Sequence, residues 1–222
     1  MTAAIGVFGK HQGYGDFISH KVDAPLAKWF EDWFDAVLPV MKAQMDTGWD
    51  AAWDAAPIVR FWVGRGVAGR TCAGLMVPSR DKVGRRYPLV VMASGAAQAA
   101  PVEDADQTLY ERIEAAVCGM QDGDDIKDVV SNLAATRAEG DVALAEGPTL
   151  WAHHPEGDLS AMLTAAGPED AKRAITARSY WWIPAPTERA SAVWLGVAGL
   201  PDTATLAWLL FGPVSQLGGG HV

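Results

Sequence analysis

The segment at residues 78–89, Pro-Ser-Arg-Asp-Lys-Val-Gly-Arg-Arg-Tyr-Pro-Leu, constrains the fold most, because an apolar, strand-like run lies on each side of it. The two runs cover residues 72–77 and 89–93. The proline at the start of the segment favours the end of the first strand, and its serine, aspartate and glycine favour a turn. Four basic side chains crowd around a single acid. We therefore predict a shaped, positively charged loop held between two core strands.

Helical periodicity is strongest in residues 26–45, where apolar side chains recur at i, i+3, i+4 and i+7. Pro39 lies inside this pattern and removes a backbone donor, so we expect a kink or a break near Leu38. Trp49 and Trp53 continue the apolar stripe and indicate a short second helix. A stripe of aromatic and methionine side chains is typical of a protein core.

Strands and helices interleave along the rest of the chain without a regular β-α alternation. Further strands are predicted at residues 5–8, 58–63, 149–153, 178–183 and 192–198, and helices at 109–120, 126–133, 158–165 and after Asp202. This pattern predicts an α/β fold with a mixed sheet and helices on both faces. No linker-like stretch divides the chain, so we expect a single domain over residues 1–214 and a flexible tail over 215–222.

Composition excludes several classes of protein. The chain has 222 residues and a net charge of −9, which disfavours nucleic-acid binding. No apolar run approaches the ~20 residues of a membrane span, and the N-terminus lacks the pattern of a signal peptide. The two cysteines, Cys72 and Cys118, are too far apart for a metal site and suit free thiols in a reducing compartment. We therefore expect a cytoplasmic protein that does not insert into a membrane.

Positive charge is concentrated in residues 60–86, which contain seven basic side chains and one acid, Asp81. Two interpretations remain open. This region is either the solvated, basic side of a dipolar molecule or a docking patch for an acidic partner surface.

No motif in the sequence satisfies the spacing of a catalytic or cofactor site. Residues 64–69 match G-x-G-x-x-G, but a strand follows where a dinucleotide site needs a helix. His153 and His154 are neighbours that point to opposite faces of a strand, which disfavours a shared metal. Ser79 has no histidine at a spacing that would mark it as a nucleophile. We therefore predict no catalytic residues, no cofactor and no metal.

Several segments together resemble the type VI secretion system-associated TagF family, which is also called ImpM. The resemblance is carried by Gly9-Lys10 with Gly15-Asp16-Phe17, by the tryptophan-rich helix, by Pro78-Ser79-x-Asp81-x-x-Gly84-Arg85-x-Tyr87-Pro88-Leu89, and by Trp181-Trp182. Family members usually carry Leu-Pro where this chain has His11-Gln12.

The resemblance implies a three-layer α/β/α sandwich and a cytoplasmic accessory protein without enzymatic activity. Proteins of this family act as posttranslational repressors of type VI secretion system assembly. Their partner is the forkhead-associated scaffold protein Fha, or another component of the secretion system.

Our hypothesis is a binding module in which the loops at residues 9–17 and 78–89 form one surface. The candidate partner-binding residues are Lys10, Asp16, Phe17, Ser79, Arg80, Asp81, Lys82, Arg85 and Arg86, and the candidate loop-shaping residues are Gly9, Gly15, Pro78 and Gly84. The basic side chains would provide charge complementarity, and the two aspartates would orient them.

Two alternatives stay open for the same loops. An enzyme or a sensor of small anions would need a deep pocket ringed by Lys10, Arg85 and Asp81. A purely architectural motif would need Asp81 and Arg85 to pair with each other or with buried backbone.

Overall fold

The computed structural model describes residues 4–95, 98–133, 159–184 and 192–212. Its strands are β1 (Ile5–Gly9), β2 (Ile18–His20), β3 (Val59–Val63), β4 (Cys72–Arg80), β5 (Arg86–Ser94), β6 (Arg178–Ile183) and β7 (Val193–Ala198). Its helices are α1 (Ala24–Met45), α2 (Trp49–Asp54), α3 (Arg65–Ala68), α4 (Thr108–Cys118), α5 (Ile126–Asn132), α6 (Leu159–Thr176) and α7 (Thr203–Phe211). The predicted strand at residues 149–153 and the predicted tail lie outside the described residues.

The seven strands form one sheet in the order β2-β1-β5-β4-β3-β6-β7. Every neighbouring pair in this sheet is antiparallel. The α/β class is confirmed, but the expected mixture of parallel and antiparallel pairs is wrong for the described strands. Short connections join β3 to β4 and β4 to β5, and short connections favour antiparallel neighbours over the long crossovers that parallel strands need.

Helices cover both faces of the sheet, so the molecule has three layers. On one face α1, α2 and α7 bury an aromatic core that includes Phe30, Phe61 and Trp181. On the other face α4 and α5 pack over Trp62 and Trp182. The two neighbouring tryptophans of β6 therefore point to opposite faces, and both are buried between layers.

Helix α1 begins at its cap, where the Asp23 carboxylate accepts a hydrogen bond from the Leu26 amide at 2.9 Å. The predicted break near Leu38 is wrong, because α1 runs without interruption through Pro39 to Met45. Pro39 and Asp35, one turn earlier, both lie on the exposed side of the helix. Water can therefore hydrate the Asp35 carbonyl that the missing amide leaves without a donor.

Strands β4 and β5 form a hairpin that extends beyond both neighbouring strands. The prediction that Pro78 ends its strand is wrong, because β4 continues to Arg80 and Pro78 lies opposite Pro88. Strand β3 begins opposite Met76, so the end of the hairpin has no strand neighbour on that side. The Pro88 carbonyl faces the β1 side and accepts from the Lys10 amide. At both prolines, a backbone amide hydrogen would point away from the partner strand of the hairpin. The pairing of β4 with β5 therefore loses no hydrogen bond to the two prolines.

A partly buried ion pair joins α4 to the sheet. Arg60 of β3 is 6 % exposed and places its Nη2 2.8 Å from Glu114 Oε2 of α4. Its Nη1 donates to Gln107 Oε1 at 3.0 Å, and the same oxygen accepts from Trp182 Nε1 at 2.9 Å. These contacts set the position of α4 relative to β3 and β6.

Most other predicted elements are present, with corrected lengths. The helix predicted at residues 158–165 extends to Thr176, and the short strand β2 was not predicted. Neither cysteine is part of a disulfide bond, and Cys72 is buried whereas Cys118 is exposed. Within the described residues, no helix combines the length and the apolar character needed to cross a membrane.

Candidate functional site

The first loop, residues 10–17, meets the hairpin tip, residues 80–86, because β1 and β5 are neighbours in the sheet. Gly9 ends β1 with a φ of 121°, and a Cβ at this position would collide with the Pro88 carbonyl oxygen. The following residue, Lys10, donates its amide to the same oxygen at 3.3 Å. Only glycine therefore fits at Gly9, where the first loop leaves the sheet.

Asp81 is the centre of the contact between the two loops, and it is 2 % exposed. Its Oδ1 accepts hydrogen bonds from the backbone amides of Val83 at 3.1 Å and Arg85 at 2.8 Å, which builds the turn of the tip. Its Oδ2 lies 2.6 Å from Arg85 Nε and 3.3 Å from Lys10 Nζ. One carboxylate thus folds the hairpin tip and binds the lysine of the first loop.

The pKa of Asp81 reflects this environment. Burial by itself would raise the pKa, but the hydrogen bonds from the Arg85 amide and guanidinium and the Lys10 ammonium oppose that effect and lower it to about 2. Asp81 is therefore ionised at neutral pH, and its charge is compensated inside the protein.

Further contacts hold the two loops together. The Lys82 amide donates to the Tyr14 carbonyl at 2.8 Å, and Arg85 Nη2 donates to the Gly15 carbonyl at 2.6 Å. Arg85 Nη2 also lies 3.6 Å from the exposed Asp16 carboxylate. Gly84 has a φ of 89°, whereas Gly15 has no positive φ, and a Cβ added there would meet no atom within 4 Å. Gly84 therefore has a backbone conformation that favours glycine, whereas Gly15 contributes its carbonyl to the contact between the loops.

The Lys10 side chain is sealed into this contact. It is 8 % exposed, and its Nζ lies 5.1 Å from the Phe17 ring centroid and 5.9 Å from that of Tyr87. The two rings pack edge to face at 4.7 Å. Cation–π contacts of this kind stabilise a desolvated ammonium. Lys10 is therefore an internal counter-ion of Asp81, and it is not a surface charge available to a partner.

Helix α2 neutralises a second basic side chain of the hairpin. Arg86 donates from Nε and Nη2 to the two carboxylate oxygens of Asp54 at 3.0 and 2.7 Å, and its Nη1 lies 2.9 Å from Asp50. Trp53 Nε1 donates to the Ser79 carbonyl at 2.9 Å. Arg86 and Ser79 thus anchor the hairpin to α2.

The predicted positive surface is consequently much smaller than the sequence suggested. Within the part of the chain that the structure describes, Arg80 and Lys82 are exposed and form no ion pair. Arg85 keeps 56 % of its side chain exposed although it is paired. Phe17 and Val83 expose 43 % and 71 % of their area between these charges. We name the exposed group formed by Asp16, Phe17, Lys82, Val83 and Arg85 the tip surface.

These contacts bear on all three interpretations of the loops. The prediction that the two loops meet is confirmed. The condition for an architectural role is also met, because Asp81 pairs with Arg85 and with backbone amides. The pocket required for an anion sensor is not formed by the predicted residues, since Lys10 and Asp81 are buried against each other.

A cleft of about 1070 Å³ opens beside the junction, which is the contact of the first loop with the hairpin tip, and helices from both faces of the sheet line it. Its walls are the first loop, the end of β4, α2 and the connection from α4 to α5, and its lining includes His11, Tyr14, Asp54, Val77, Arg80, Val117, Cys118, Met120, Asp122, Asp124 and Asp125. Sequence analysis missed this cleft, because the aspartates after α4 match ordinary surface and helix-capping positions.

Tyr14 links the junction to the cleft. Its hydroxyl donates to Asp125 Oδ1 at 2.6 Å, and this hydrogen bond is the main reason that the pKa of Tyr14 rises to about 12. Asp125 also caps α5 by accepting from the Lys127 amide at 2.8 Å. Burial lowers the pKa of His11, so its imidazole is neutral at pH 7.

The fold and the site define a three-layer α/β protein with an ion-paired loop junction and an acidic cleft at one end of an antiparallel sheet. The TagF N-terminal domain family, described as type VI secretion system-associated, matches residues 6–136, and the chain belongs to this family. A crystal structure of PA0076 from Pseudomonas aeruginosa PAO1 has a TM-score of 0.72 and 22 % identity, covering 99 % of this chain and 96 % of that chain. This likeness shows a shared fold. No curated protein matches the chain.

Proposed function

We propose that this protein is a cytoplasmic accessory protein of a type VI secretion system that represses assembly posttranslationally by binding the Fha-type scaffold protein through the tip surface. Membership of the secretion-associated family supports the accessory role. The observation that carries the binding role is the exposure of Phe17 and Val83 between basic side chains on two loops that are locked together.

The tip surface is organised before any partner arrives. Asp81, Lys10 and Arg85 fix the loops through buried or partly buried contacts, and a backbone hydrogen bond from Lys82 to Tyr14 adds to them. A preorganised surface loses less conformational freedom on association than a mobile one does. The architectural contacts therefore support the binding role, because they hold the exposed residues in place.

Composition of the tip surface suits a protein partner. Protein interfaces place apolar anchors at the centre and charged groups at the rim, and a few anchors provide most of the affinity. Phe17 and Val83 are the apolar groups here, with Lys82 and Arg85 beside them. The local positive charge on a protein of net charge −9 selects an acidic surface on the partner and orients the encounter.

The rival function, phosphate or small-anion binding by the same loops, has weaker support. Lys10 and Arg85 already share Asp81, and Arg86 is paired with Asp50 and Asp54. An incoming anion would have to displace these carboxylates, which costs more than binding to free cationic groups.

The test uses the double variant Lys82→Glu/Val83→Asp, whose two residues are exposed at the tip. Val83 contacts Asp81 through its backbone amide, which the substitution keeps. Titration of the purified Fha-type scaffold into the variant should give an affinity at least about tenfold weaker than for the wild type, because a charge and an anchor are both lost. The control for the change of an exposed valine to aspartate is Val102→Asp, since Val102 is 50 % exposed and lies outside the tip surface. Thermal unfolding of all three proteins should agree closely.

Two results would contradict the proposal. One is equal affinity of the scaffold for the wild type and the double variant. The other is an equal loss of affinity in Val102→Asp, which would show that the effect does not depend on the tip surface.

A further inference from the structure

The cleft differs in charge from the tip surface beside it. Asp122, Asp124 and Asp125 lie together on the connection from α4 to α5, and all three line the cleft. Arg80 is the basic side chain on the opposite wall, while Asp54 is already paired with Arg86 and His11 is neutral at pH 7. The cleft therefore carries a net negative charge.

The three aspartates are not equivalent. Asp125 accepts from Tyr14 and from the Lys127 amide, and Asp124 accepts from the Gln121 amide at 2.7 Å. Asp122 has no hydrogen bond or ion pair to any residue within the described ranges. Its carboxylate is thus available to a ligand, whereas its two neighbours shape the connection.

Helix α4 adds to the negative potential of this wall. It ends at Cys118, and Gly119 and the aspartates follow directly. The carbonyl groups at the end of a helix carry partial negative charge and favour cations nearby. Both the side chains and the helix end therefore favour a positively charged group at this wall.

The floor of the cleft is apolar. Val77, Val117 and Met120 line it, and each packs only partly against the core of the α4 and α5 face. The volume of about 1070 Å³ exceeds that of a typical small-molecule pocket, so it accommodates several residues of an extended chain. An apolar floor with an acidic wall suits a segment that alternates apolar and basic side chains.

We propose that this cleft captures an extended basic segment of a partner protein. An apolar side chain of the segment contacts Val77 and Met120, a neighbouring arginine or lysine pairs with Asp122, and a backbone carbonyl of the segment accepts from Arg80. This site is separate from the tip surface and binds a ligand of the opposite charge. The proposal for the cleft therefore does not depend on the proposed function.

The first experiment measures binding of a positional-scanning library of fluorescein-labelled octapeptides to the full chain by fluorescence polarisation. Pools with a fixed arginine or lysine should bind at least about fivefold more tightly than pools with a fixed aspartate or glutamate. The preference should weaken as ionic strength rises. Equal binding of basic and acidic pools would overturn the proposal.

Matched charge variants locate the binding site. Asp122→Lys should remove the preference for basic pools, whereas Asp170→Lys, the same charge change on α6 and outside the cleft, should keep it. The tip variant Lys82→Glu/Val83→Asp should also keep it. If Asp122→Lys and Asp170→Lys behave alike, the preference arises from the net charge of the protein and the proposal is wrong.

Cys118 provides a second readout that does not depend on charge substitution. It is exposed and lines the cleft, whereas Cys72 is fully buried and serves as an internal control. A saturating basic pool should slow the alkylation of Cys118 by N-ethylmaleimide at least about threefold, because a bound segment covers the thiol. Binding without protection would place the peptide elsewhere and overturn the proposal. Equal reactivity of Cys118 and Cys72 in the free protein would contradict it too, because the cleft would then be closed to a ligand.

Discussion

The junction of the two loops and the cleft beside it use charge in opposite ways. At the junction, the buried Asp81 carboxylate is compensated by Lys10 and Arg85. In the cleft, Asp122 remains exposed and unpaired among the described residues. Compensated charges hold a structure together, whereas uncompensated charges remain available to a ligand. A cluster of basic residues in a sequence therefore does not identify a binding surface until its counter-ions are known.

The largest effect is expected from Asp81→Asn, which keeps the shape of the side chain but removes its charge. The variant leaves the buried Lys10 ammonium without a counter-ion and weakens the turn of the hairpin tip. The melting temperature should fall by at least about 8 °C, because breaking a buried pair strongly destabilises a protein of this size. Differential scanning calorimetry measures the change.

The control for this variant is Asp16→Asn, which alters an aspartate whose side chain is 99 % exposed. Its melting temperature should stay close to that of the wild type.

The pH dependence of stability gives a further check. The pKa of Asp81 in the folded protein is about 2, below its usual value of 3.8. The ionised carboxylate therefore stabilises the folded protein fully at pH values above 3.8. The effect is lost as the pH falls through about 2, and wild type and Asp81→Asn should converge there.

A smaller effect is expected from Gly9→Ala. Alanine at a φ of 121° is strained, and its Cβ would collide with the Pro88 carbonyl, so β1 and β5 must move apart locally. The melting temperature should fall by about 5 °C, which corresponds to roughly 2 kcal/mol. Gly15→Ala is the control, because a Cβ there would meet no atom within 4 Å. Equal decreases in melting temperature for the two variants would show that the positive φ and the close approach to Pro88 at Gly9 do not cause the effect.

The smallest effect is expected from Tyr14→Phe, which removes the hydrogen bond to Asp125 between the junction and the cleft. The melting temperature should fall by about 2 °C, since one solvent-accessible hydrogen bond contributes about 1 kcal/mol or less. The pKa of Asp125, which this hydrogen bond holds below its usual value, should rise in the variant. NMR titration of the carboxylate measures it. An unchanged pKa would contradict the proposed link between the two regions.

Local patterns in the sequence predicted most elements of the fold. The apolar stripe of α1, the short α2, the strands around residues 78–89, the late strands β6 and β7 and the Asp202 cap of α7 all follow from periodicity and capping chemistry. The continuity of α1 through Pro39 did not follow, because it depends on which side of the helix faces water.

Charge pairing could not be predicted from the sequence, because it depends on contacts between distant segments. Arg86 pairs with Asp54, which precedes it by 32 positions, and Tyr14 bonds Asp125, which follows it by 111. The sequence shows that Lys10, Arg85 and Arg86 are basic, but it does not show that acids from α2 and the hairpin tip neutralise them. The acidic cleft was missed for the same reason, since its walls come together only in the folded chain.

The pair of prolines that face each other across the hairpin, Pro78 and Pro88, has a further consequence. Beyond Met76, β4 has no strand neighbour on the β3 side, and an edge of this kind can accept a foreign strand, whereas on the other side Lys10 already bonds the Pro88 carbonyl. Each proline lacks the backbone N–H group that an added strand would need as a hydrogen-bond donor. The protruding end of the sheet is thus guarded against unwanted strand addition.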